Sequence, residues 1–172
     1  MKHTSKYTQG FTLIDLAIYS GLLGILLVIL SEIFVSIVGL QLSSSSQGAV
    51  EQNGAYILSR MTYDIRRASG ITSPTLGQTV ATFSAVISES GSPVPYTYSI
   101  QNENLTLSVG SSVTQLNSSD TRISDFSVKK IGNSGQSASA KDTVQVTFVV
   151  HSRGVVQASL KERMYQTVVS LR

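Results

Sequence analysis

His3 and His151 are the only imidazoles in the chain, and it contains no cysteine. Those two facts remove thiolate nucleophiles, disulfides, cysteine-ligated zinc and iron–sulfur clusters. Two histidines so far apart in sequence supply no ready general base for a catalytic triad. No P-loop, GxGxxG, HExxH, GxSxG or EF-hand pattern occurs. The chain therefore reads as a non-enzyme, with no cofactor and no metal site. The residue whose placement asks for chemistry is Asp15, a carboxylate at the start of a long apolar run that holds only one other ionisable group, Glu32. Left unpaired at membrane depth, a carboxylate costs about 2.5–3.5 kcal/mol on insertion scales, so Asp15 requires a cation or hydrogen-bond donors. Thr12, three residues earlier, offers one solution: a T-x-x-D capping box at the positive end of a helix dipole.

Weaker candidates lie further along. Asp120 and Asp125, with Asn117 nearby, are oxygen donors of the kind calcium takes, but a polar turn before a strand explains them as well. His151 sits at a strand end beside Arg153 and reads as a surface turn residue. Tyr96 and Tyr98, two apart, share one strand face, which suits burial better than a stacking platform for single-stranded nucleic acid. Glu89, Glu103 and Asp142 fall in expected loops without assignable partners.

The elements that must position these groups begin with a membrane-length helix. Hydrophobic residues make up 41% of the 172 positions and charged ones 13%, about half the usual ~25%. Residues 11–31 carry no charge except Asp15, and at ~1.5 Å per residue they span roughly 31 Å, the thickness of a bilayer's hydrocarbon. Lys2, His3 and Lys6 precede the span, which places the amino end in the cytoplasm and the rest outside. Losing Lys2 and Lys6 with the first ten residues takes the formal charge from +3 to +1, so nucleic acid is not indicated as a partner. A conventional signal peptide fits poorly, because the apolar stretch is too long and no Ala-x-Ala site follows. From Phe11 to Leu42 the apolar character extends about 48 Å, well past the ~30 Å of hydrocarbon. The overhang needs a cover, either the protein's own head or other helices of the same kind.

The string Gln9-Gly10-Phe11-Thr12-Leu13-Ile14-Asp15-Leu16 resembles the cleavage and methylation signal of type IV prepilins and pseudopilins. In that family a short basic leader ends in Gly, Phe usually follows, and an acid stands fifth in the mature chain, usually Glu where this chain has Asp15. The resemblance implies cleavage by a prepilin peptidase after Gly10 and N-methylation of Phe11. It also implies that Asp15 pairs with the Phe11 amine of a neighbouring subunit and so sets subunit register. Glu32 stands where many major pilins carry Pro. It is a possible filament contact at a specialised position such as the tip, and simple headgroup exposure accounts for it equally.

Beyond Ser43–Ser46 and Gly48, a run of poor helix formers, apolar residues recur at spacings of three and four: Val50, Ile57 or Leu58, Met61, Ile65 and Ala68. This predicts an amphipathic continuation of the helix, loosened or kinked near 43–48, ending near Ser69-Gly70 with Gly70 at C′. Arg60, Asp64, Arg66 and Arg67 are expected on its other faces. After Pro74 the chain turns to short alternating segments. Residues 79–87 read as a strand, 96–100 and 105–109 as a hairpin about 101–104, and 123–131 as an irregular strand. Residues 132–140 read as a loop, 143–151 and 155–160 as a second hairpin, and 166–171 as a last strand. The expected architecture is α+β and pilin-like: a long amino-terminal membrane-spanning helix packed on an antiparallel sheet of six or seven strands. Its divisions are leader 1–10, membrane and filament-core helix 11–42, amphipathic continuation 43–70, and β-rich head 71–172.

The function these readings imply is that of a minor pilin or pseudopilin, a structural subunit of a type IV pilus, a type II secretion machine or a DNA-uptake filament. The head's texture is similar to minor pilins and to J-type minor pseudopilins. Implied partners are prepilin peptidase, other pilin subunits, an assembly platform protein with its ATPase, and membrane lipid before assembly. The implied location is the bacterial cytoplasmic membrane, then a cell-surface or periplasmic filament. The alternative is a bitopic membrane-anchored binding or sensing protein with an extracytoplasmic β-rich head.

Overall fold

A computed structural model describes residues 12–132, 142–153 and 161–171. The scissile pair Gly10-Phe11, most of the expected 132–140 loop and the expected strand at 155–160 lie outside the described residues. The chain divides into two compact units, Met1–Gln41 and Leu42–Arg172. Helix α1 (Leu13–Arg67) begins in the first and ends in the second.

In the first unit α1 is apolar on every side. Leu13, Phe34 and Leu40 are 84%, 68% and 73% exposed, and mean hydropathy reaches 2.6 over an 18-residue window. The helix is long and apolar enough to cross a membrane. The chain stays helical through Ser43–Ser46 and Gly48, where the sequence predicts a loosening. Serine's propensity deficit is only a few tenths of a kcal/mol per residue, and Gln47 donates to Glu51 at 3.2 Å one turn on.

Within the second unit α1 buries a stripe of Val50, Gly54, Ile57, Met61, Asp64 and Ile65. The steps of four, three, four and three keep these side chains on one face. Ile57 is fully buried and Leu58 only partly so. The helix ends at Arg67, not near Gly70. Ala68–Ser73 forms strand β1, because its backbone pairs with the following strand from Ala68↔Ile87 onward.

The remaining strands are β2 (Thr79–Val80), β3 (Thr82–Glu89), β4 (Ser92–Gln101), β5 (Asn104–Val109), β6 (Ser112–Gln115), β7 (Thr121–Ile131), β8 (Thr143–Ser152) and β9 (Glu162–Ser170). They form two antiparallel sheets where the sequence predicts one. The first has the order β1-β3-β4-β5-β6 and the second β2-β7-β8-β9. The expected strand at 79–87 is divided at Ala81, with β2 pairing to β7 and β3 to β4. The hairpin about 101–104 is present with Gln101↔Asn104 as its last pair. Asn102 and Glu103 both take positive φ, 50° and 61°, as a two-residue loop matched to strand twist demands. On the side away from β7, β8 pairs with β9, from His151↔Glu162 to Thr143↔Ser170.

Both sheets and the helix stripe share one core. Phe83, Tyr98 and Leu105 come from the first sheet, Val128, Val146 and Phe148 from the second, and Met61 and Ile65 from α1, all fully buried. Strand β8 alternates half-buried and buried residues along its whole length, which sets its register firmly because a one-residue slip would expose every core side chain.

Candidate functional site

At the start of α1, Thr12 is the N-cap and Asp15 the third helical residue. The capping box is complete. The Asp15 amide donates to Thr12 Oγ1 at 3.2 Å, while the Thr12 amide and hydroxyl donate to Asp15 Oδ2 at 3.1 and 2.6 Å. The first helical bond, Leu16 N–H to Thr12 C=O at 3.2 Å, completes the turn. Both donors converge on one carboxylate oxygen, so Oδ1 is without a partner among the described residues. Glu32 is exposed on α1; its backbone carbonyl accepts from Ser36 Oγ at 2.9 Å.

The sequence places Asp64 among the solvent-facing residues of α1; the structure places it in the core, 1% exposed. Its Oδ2 accepts from Arg60 Nε at 2.9 Å and from the Tyr98 hydroxyl at 2.5 Å. Burial first, and then the Asp64 carboxylate, hold the Tyr98 phenol well above its ordinary pKa. The steps of four and three from Val50 would have found both Asp64 and Gly54. Counting only apolar residues concealed them.

The acids left without partners by the sequence have them. Glu89 accepts from the Tyr96 hydroxyl and from Arg67 at 3.3 Å. Arg67 also bonds Tyr63 Oη at 2.8 Å and lies 4.8 Å above that ring's centroid. Glu103 faces Arg122 and Arg153, and Asp142 lies 2.7 Å from Lys130. Tyr96 and Tyr98 are both buried, as their shared strand face predicts.

Of the oxygen donors considered for calcium, Asp120 accepts the Arg153 amide on its backbone carbonyl at 2.7 Å. Asn117 is 4% exposed and ties its loop to the start of β5. Its Oδ1 accepts the Leu105 amide at 2.9 Å, and its Nδ2 donates to Asn104 Oδ1 and to the Ser118 and Thr121 carbonyls. Asp125 sits at a β7 bulge with φ 52°. Among the described residues no group of three or more His, Asp or Glu is placed to hold a metal ion.

His151 lies inside β8, not in a turn. Its Nε2 is 2.7 Å from Ser124 Oγ on β7 and its Nδ1 3.2 Å from Glu162 on β9. The three residue types are those of a hydrolase triad. The Ser124 hydroxyl is also 2.8 Å from Asp125 Oδ2. These contacts link β7, β8 and β9 through side chains.

Comparison with known proteins found no matching family model, no matching curated protein and no matching solved structure. The chain's own residues therefore carry the functional reading.

Proposed function

We propose that this chain is a structural subunit of a type IV pilin-like filament, more in the manner of a minor pilin or pseudopilin than a major one. The observation that carries the proposal is Asp15. It is an acid in the first turn of an exposed, membrane-length apolar helix, directly after Gly10-Phe11. A peptidase cut after Gly10 frees the Phe11 amine one helical turn from Asp15. Before assembly, Thr12 satisfies Oδ2 and lowers the cost of carrying a carboxylate at that depth. Oδ1 remains for a neighbour's amine, and that pairing offsets the desolvation of both ions and sets the axial register between subunits. Residues 11–42 then exchange lipid for the helices of neighbouring subunits, with the β-rich head outside the filament core. In this reading the amino end is cytoplasmic, the precursor resides in the bacterial cytoplasmic membrane, and the partners are prepilin peptidase, other pilins, a platform protein and its ATPase.

A second reading draws on the same capping box. A plain membrane anchor with a binding or sensing head also keeps Thr12 on Asp15 and needs no second partner for the carboxylate. The two separate on Asp15→Ala, expressed with a peptidase, platform protein and ATPase. The filament reading predicts that the variant still inserts and is cleaved, but that its amount in the sheared filament fraction falls at least tenfold. Undiminished incorporation of Asp15→Ala contradicts it.

A further inference from the structure

Among the described residues four strands stand at sheet edges, and three of them are blunted. β1 has two register irregularities against β3, β2 has two residues and β6 has four. Short and bulged edges are the ordinary protection against pairing with another chain. β9 has neither. Its nine residues pair with β8 in unbroken register, and from Met164 to Leu171 it contains no charge and no proline. Met164 and Val168 are 65% and 58% exposed.

Beside this edge runs a groove between α1 and the end of β9. Leu58, Thr62, Arg66 and Arg67 line it from the helix, and Val168 and Leu171 from the strand. Among the described residues two guanidinium groups border the groove and no carboxylate does. Arg67 is held by Glu89 and Tyr63. Arg66 is exposed and has no partner among the described residues. Glu51 meets Arg163, and one turn on Gly54 meets Tyr165. Helix and strand therefore advance together, and Arg66 falls toward the Leu171 end.

We propose that β9 receives an extended segment of another protein as an added strand, with a carboxylate of that segment on Arg66. Main-chain hydrogen bonds to the open edge would supply affinity, the apolar groove would take alternate side chains, and the arginine would set polarity. Nothing here depends on Gly10 or Asp15; a filament subunit and an anchored receptor would use the edge alike.

The test uses the full chain in detergent micelles and two fluorescein-labelled nine-residue peptides of alternating Thr and Val, one ending in two Glu and one in two Lys. Anisotropy is expected to show the acidic peptide binding at least tenfold more tightly, with Arg66→Glu reversing the preference. Proline is placed in turn at Thr167 and Val168. Consecutive residues aim their amides to opposite sides of a strand, so one of the two variants leaves the β8 pairing intact by circular dichroism, and that one is expected to lose both peptides. Absent binding, equal binding of the two peptides, or binding that survives both prolines would overturn the proposal. So would a dimer of this chain that the same prolines dissociate, because the edge would then belong to a second copy.

Discussion

The Tyr98 hydroxyl and the Asp64 carboxylate meet at 2.5 Å in the core, tying the last turns of α1 to the middle strand of the first sheet. Arg60, 2.9 Å from the same oxygen, is 36% exposed, so the charge pair is half in water while its acid is buried. Removing one member of such a cluster strands the others. Asp64→Ala leaves a buried phenol and a guanidinium without their acceptor and should destabilise the head by about 3 kcal/mol. The melting temperature of the full chain in detergent should fall by about 10 °C. The double variant Asp64→Leu with Tyr98→Phe, which removes the buried polar groups together, should recover a large part of that loss. A double variant no better than Asp64→Ala would show that the pair contributes net stability.

Tyr98 also gives the head an alkaline limit. Its folded pKa is raised above the ordinary 10.0, so the folded state favours the neutral phenol more than the unfolded chain does. The stabilisation is complete below about pH 10 and is lost as pH rises beyond it. Denaturant midpoints measured between pH 8 and 11.5 should therefore decline most steeply above 10. Tyr98→Phe should make that decline shallower without removing it, because Tyr96 and Tyr165 are raised in the same direction. An unchanged slope would contradict the burial of an un-ionised phenol there.

Gly54 separates packing from propensity. In an exposed helix Gly→Ala gains about 1 kcal/mol. Here an added Cβ would overlap the Tyr165 ring, which stacks on Phe148 with centroids 5.5 Å apart and donates to the Val50 carbonyl at 3.2 Å. Gly54→Ala should lower the melting temperature, and Gly54→Ala with Tyr165→Val should restore the usual helical gain relative to Tyr165→Val alone. A stabilising single variant would show that the ring moves aside freely.

How much of this was legible follows from what each signal measures. Hydropathy alone delimits the apolar half of α1, because nothing else in the chain resembles it. Alternation finds β4, β5 and β8; burial follows a period of two in β8 and about Tyr96–Tyr98 of β4, whereas β5 buries Leu105, Thr106 and Leu107 in succession. The division of residues 79–87 between two sheets is invisible to alternation, since Val80 and Thr82 differ in partner and not in texture. Gly70 looks like a C′ residue, but long-range pairing of Ala68 with Ile87 draws the backbone into a strand before it. Charge alone puts Asp64 on the solvent side, because charged residues usually are outside; only its position on the stripe gives it away. The capping box at Thr12 and Asp15 was legible from spacing, but the convergence of both donors on one oxygen is geometry and has no sequence signature.

The central claim turns on the bond between Gly10 and Phe11. The full chain should be co-expressed with a prepilin peptidase, beside a Gly10→Val variant and a known prepilin as controls, and its intact mass measured from the membrane fraction. The expected product begins at Phe11 and carries the added mass of one methyl group, with Gly10→Val left uncut. A chain that keeps its first ten residues while the control prepilin is cleaved would contradict the account and leave a plain membrane anchor.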